Sequence, residues 1–128
     1  MSEYKKIMLA VDLTEESLKV AERATQLVSA FGAELHVVHV IEPLSLAYGG
    51  DVPMDLSTVQ DQIQDQAAAY LREFSAALNV PESHQHLIFG RPESEIQRTA
   101  EEAGADIIVV GSHGTVSYTH LRAHETEE

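Results

Sequence analysis

Four short apolar runs, "IMLAV", "LHVVHVI", "HLIF" and "IIVVG", recur along the chain, with longer stretches of helical periodicity between them. Each run is only a few residues long and rich in Ile and Val, which suits a strand better than a buried helix. The runs are continuously apolar instead of alternating, so both faces of each strand are expected to be covered. Strands of this kind separated by helices imply parallel pairing, right-handed crossovers and helices on both faces of the sheet. The order reads β-α-β-α-β-α-β. The predicted fold class is therefore α/β, a doubly wound parallel sheet with four strands in spatial order 3-2-1-4.

The helices are marked by their own punctuation. In "TEESLKVAERATQLVSAFG", Leu18, Ala21, Thr25 and Val28 recur at helical spacing, with Ala24 and Phe31 widening the stripe. Thr14 can cap the first amides and Gly32 is a natural stop. In the second helix Val59, Ile63, Ala67, Tyr70, Leu71, Phe74 and Leu78 form the predicted apolar face. The third, "RPESEIQRTAEEAG", carries Pro92 near its first position and Gly104 after its end. The segment "PLSLAYGGDVPMDLS" reads as a loop. "HQHLIFG" reads as the third strand.

Charge narrows the function. Formal net charge is −13, which argues against nucleic acid and against anionic membrane surfaces, since both need clustered Lys and Arg. It leaves a nucleotide open, because backbone amides can hold phosphate without a cationic side chain. The chain has no cysteine, so disulfides and thiol chemistry are excluded. The longest apolar runs, such as Ile107 to Val110, are too short to span a bilayer. The N-terminus shows no signal peptide, and the expected location is the cytoplasm.

In an open parallel sheet, ligands bind beyond the carboxyl ends of the strands, where the strand order reverses. Asp12 follows the first strand, Val40 and Ile41 lie near the end of the second, and "GSHG" follows the fourth. Gly111 and Gly114 would let backbone amides approach a phosphate, and Asp12 could accept hydrogen bonds from ribose hydroxyls. A Gly-x-x-Gly loop is common, and an Asp at a strand end is also an ordinary helix cap. His84 and His86 alternate onto one strand face, but two ligands alone do not complete a metal site, so none is predicted. His36 and His39 read as packed or edge-of-sheet residues. No nucleophile–base–orienter set is legible, so no catalytic residues are assigned and the chain is expected not to be an enzyme.

The combination of "KKIMLAVDLTEES", "AELHVVHVIEP" and "DIIVVGSHG" resembles the universal stress protein family, over Tyr4 to Gly114. "VDLTEES" and "YGGDVPMDL" are most similar to the UspA-type branch. The resemblance implies a Rossmann-like sheet of the adenine nucleotide hydrolase kind, five strands in all, and a homodimer formed through the last strand. The family divides into ATP-binding and non-binding groups. By resemblance, cofactor-binding residues would be Asp12 for the ribose, Val40 for the adenine through its backbone, and Gly111 and Gly114 for the phosphates. Binding members carry Gly and then Ser or Thr nine residues further on; here His124 and Glu125 stand there.

The tail departs from the family. "VSYTHLRAHET" resembles an in-frame translation of a transposase-type sequencing adapter. Residues 1–115 are accordingly read as an incomplete universal stress protein domain and 116–128 as a non-native or disordered tail. That predicts a missing fifth strand and an open edge on the fourth. The expected function is a cytoplasmic stress-response protein, with ATP or another adenine nucleotide bound in the full-length parent and no tight binding by this chain. Two alternatives stand: a UspA-type dimeric interaction module without nucleotide, and an enzyme related to adenine-nucleotide hydrolases or ligases. The absence of glycine in "VDLTEES" counts against the enzyme.

Overall fold

The computed structural model describes residues 5–11, 16–42, 56–112 and 115–120. In chain order these contain β1 (Lys6–Ala10), α1 (Glu16–Phe31), β2 (Glu34–Ile41), α2 (Leu56–Ala77), a 3-10 turn (Glu82–His84), β3 (Gln85–Phe89), α3 (Pro92–Ala103), β4 (Ile107–Ser112) and β5 (Thr115–His120). One sheet has the order β3-β2-β1-β4-β5. The pairs β1–β2, β1–β4 and β2–β3 are parallel, so the predicted order 3-2-1-4 is the observed one.

The strands alternate between two apolar layers. Ile7, Leu9, Val11, Val37, Ile107 and Val109 face α1 and α2, meeting Val20, Ala24, Leu71 and Phe74. Met8, Ala10, Val38, Val40 and Ile108 face the other way, toward Ala100 of α3. Ile7, Met8, Leu9, Val37, Val38 and Val109 are fully buried. Burial on both faces is why these runs carry no polar alternation. The ends of α3 follow their sequence signals. Pro92 lies in the first turn, and Gly104 closes the helix at φ 78°, with its N–H donating to Ala100 and Glu101 carbonyls.

Three expectations need correction. The first concerns the fifth strand and the open edge on β4. Thr115–His120 forms β5, antiparallel to β4, pairing Ile107 with His120 through Ser112 with Thr115. Only His113 and Gly114 separate the innermost paired positions, so closing this hairpin costs little chain entropy. The segment reads Thr-Val-Ser-Tyr-Thr-His, rich in residues that favour strands, although it has no apolar run. The pairing does not bear on where the segment came from. The second concerns Leu18 and Val59, placed on apolar faces but 66% and 40% exposed. At 100° per residue, Leu18 lies about 150° around α1 from the stripe that Val20, Ala24 and Leu27 form. The third concerns His84, which belongs to the 3-10 turn before β3 and not to the strand. Thr14, proposed as a cap, and the segment read as a loop at residues 43–55 lie outside the described residues. Among the described residues no helix is long and apolar enough to cross a membrane.

Candidate functional site

The sheet turns on β1. The chain moves from β1 through β2 to β3 on one side, then returns across the sheet to place β4 against the other side of β1. The strand order therefore reverses between β1 and β4, and the carboxyl ends of these strands are where an open parallel sheet places its ligand. Ala10, the last residue of β1, pairs with Val110 and Val38, so β4 and β2 both run on past the end of β1.

Val40 is placed by strand alternation. The Val11 N–H donates to the Val38 carbonyl at 3.0 Å, and the Gly90 N–H donates to the Ile41 carbonyl at 3.0 Å. Even-numbered peptide groups of β2 thus face β1, and odd-numbered ones face β3. The Val40 peptide faces the β1 side two residues beyond the Ala10–Val38 pair, where β1 has already ended. Its side chain is buried, so its backbone is what it can offer a ligand.

His39 contributes what the sequence reading missed. Its buried ring donates from Nδ1 to the Val11 carbonyl at 2.8 Å. That bond ties β2 to the residue preceding Asp12. The ring side of the bond must carry the proton, because a carbonyl only accepts. A lone apolar-flanked His gives no sequence signal for this role.

The other predicted residues divide. Asp12 and Gly114 lie outside the described residues. Gly111, expected in the loop, is inside β4 and pairs with Val116, because the hairpin extends β4 past the apolar run. A cavity of about 250 Å³ lies elsewhere, between the C-terminal ends of α1 and α2, with Leu35, Val80 and His84 in its wall. It lies toward the amino ends of β2 and β3, away from the carboxyl ends of β1 and β4.

A second group assembles at that same end, on the α3 face. Glu34 and His36 alternate on β2, His84 leaves the 3-10 turn, and His86 sits on β3 paired with Val38. His36 Nδ1 lies 3.1 Å from His86 Nε2, and His36 Nε2 lies 3.4 Å from Glu34 Oε1. His84 Nε2 is 3.8 Å from the same Glu34 oxygen. The His36 and His84 rings stack with centroids 4.1 Å apart. Desolvation, then the neighbouring His84, holds the pKa of His36 below its ordinary value, with the Glu34 hydrogen bond opposing. The same two causes lower His86. Sequence reading had only His84 and His86 as a pair; the structure adds His36 and Glu34.

The universal stress protein family model matches residues 3–124. Universal stress protein A homolog 1 of Coxiella burnetii is 37% identical over 112 residues, covering 87% of this chain and 78% of that protein. A universal stress protein family structure from Burkholderia pseudomallei superposes with a TM-score of 0.70 at 24% identity, covering 88% of this chain and 85% of the other. A universal stress protein solved in complex with cAMP superposes with a TM-score of 0.57 at 20% identity, covering 84% and 72%. The two structural likenesses speak to the fold. The breadth of the family match, the identity to the Coxiella relative and the 3-2-1-4 sheet agree, and the chain belongs to the universal stress protein family.

Proposed function

We propose that this chain is a binding domain of the family, acting by ligand and protein contacts and not by turnover, and that an adenine nucleotide binds at the carboxyl ends of β1 and β4. The observation that carries the reading is the adjacency of β1 and β4, with the Val40 peptide turned to the β1 side beyond the strand's end. The Val40 backbone would meet the base, Asp12 the ribose, and the Gly111 and Gly114 amides the phosphates. A family structure in complex with cAMP supports the ligand class.

The chain holds the nucleotide weakly. Gly-Ser or Gly-Thr nine residues beyond Gly114 is replaced by His124 and Glu125. Losing two or three charge-assisted hydrogen bonds of ~1.5–3 kcal/mol each lowers affinity by several orders of magnitude. A parent chain that supplies the missing pair would bind ATP tightly. The same reading gives a cytoplasmic stress-response role and a homodimer across the outer edge of the sheet, where edge-strand backbone groups can pair with a second copy.

Titration of the 15N-labelled chain with Mg-ATP and with cAMP tests this. Amide shifts at Val40, Ile41 and Gly111 that saturate only in the millimolar range are expected. No shift at these residues up to about 10 mM nucleotide would remove the nucleotide reading. Micromolar saturation would show that the missing pair is dispensable. The second reading, a dimeric interaction module without nucleotide, is favoured by the position of Gly111 inside β4.

A further inference from the structure

We propose that Glu34, His36 and His84 bind one divalent transition-metal ion, Zn2+ first among them, at the amino ends of β2 and β3, with His86 orienting His36 from behind. One ligand atom from each of the three lies within 4.8 Å of the others. Two of the separations are 3.4 and 3.8 Å. Two nitrogens bound to zinc at 2.0–2.1 Å in a tetrahedron stand about 3.3 Å apart, so the cluster is close to closing on an ion. Two imidazoles and a carboxylate suit Zn2+ and leave a fourth position for water.

The hydrogen bonding around His36 fits a ligand. Without metal, His86 Nε2–H can donate to His36 Nδ1, and His36 Nε2–H to Glu34. With metal on His36 Nε2, the proton moves to Nδ1 and donates to His86, the outer-shell arrangement that fixes a metal-bound imidazole. The ligands need not pass through the core. The Glu34 side chain is 53% exposed and that of His84 26%, which leaves an open side for entry. The His36 and His84 rings stack with their planes 16° apart, so their in-plane lone pairs do not converge as they stand, and binding requires the partly exposed His84 ring to turn toward the ion. The chain's net charge of −13 favours a cation in this position. This site lies at the opposite end of the sheet from the proposed nucleotide site and does not depend on it.

The test is competition of the full chain with a chromogenic zinc chelator, alongside Co2+ absorption and imidazole 15N–1H correlation spectra. One Zn2+ per chain is expected, with four-coordinate Co2+ bands and conversion of His36 to its Nδ1–H form. Glu34→Gln and His84→Gln, both at partly exposed positions, should each weaken binding 10–100-fold, and His86→Gln about 10-fold at unchanged stoichiometry. Circular dichroism of each variant separates lost binding from lost folding. Zinc binding that survives the Glu34→Gln, His84→Gln double variant would place the metal on other histidines and overturn the proposal. So would a folded wild-type chain that takes up no Zn2+.

Discussion

Asp106 and Lys6 hold each other through both ends of one peptide pairing. The Asp106 N–H donates to the Lys6 carbonyl at 2.9 Å, and the Lys6 N–H donates to Asp106 Oδ2 at 3.0 Å. The same oxygen accepts the Lys5 N–H at 2.6 Å. Lys6 Nζ in turn donates to the Ala103 carbonyl at 3.0 Å, at the end of α3. These bonds fasten the start of β4 to the start of β1 and set the register Ile7 to Ile107. A one-residue slip there would exchange the two apolar layers. How far β4 runs past the end of β1 at the far side follows from this register.

Asp106→Ala should destabilise the chain by about 1–3 kcal/mol, because two backbone donors lose a charged acceptor. Asp106→Asn keeps one acceptor oxygen and should lose less. Urea unfolding of the three proteins checks the order. Equal midpoints would show the clamp to be idle.

Stability should fall as pH drops through the range of the histidine cluster. His36 and His86 have folded pKa values below 6.5. As pH falls below about 6.5 the unfolded chain takes up these protons first, so stability declines until the lowered folded values are passed. Above that window both states are neutral and the effect vanishes. Urea midpoints in chelator-containing buffer between about pH 7.5 and 5.5 should fall, and fall less in His86→Gln. Parallel slopes would place the titration elsewhere.

Ser75→Ala should leave stability unchanged or raise it by about 0.5–1 kcal/mol. Ser75 is fully buried in α2 and its hydroxyl has no hydrogen-bond partner among the described residues. Removing it relieves an unsatisfied polar group and introduces a better helix former. A drop in thermal midpoint would show that the hydroxyl has a partner in solution.

Ending the chain at Gly114 should expose β4. Ile107, Ile108 and Val109 are buried, and β5 occupies the edge beside them. Amide exchange at Ile108 and Val109 should be slow in the full chain and faster in the shortened one, with more aggregation. Identical exchange in both would mean that β5 contributes no protection.

The sequence by itself determined the layering. Continuous Ile and Val runs at "IMLAV" and "IIVVG" could bury only as strands covered on both faces, and short connections with right-handed crossovers left the order 3-2-1-4. Pro92 and Gly104 bounded α3 for local reasons, a missing N–H and a positive φ, that need no knowledge of the rest of the molecule. What the tertiary structure decided depends on register and on which side of an element meets a neighbour. Leu18 fits a helical stripe but points away from it, because the stripe is chosen by the sheet beneath α1. The tail segment becomes β5 because a two-residue link and an unpaired neighbour reward residues of strand propensity, which an apolar-run criterion passes over. His36 and His86 are 50 residues apart in sequence. They meet only because β2 and β3 pair at Val38 and His86, and no local pattern can report a contact made by that pairing.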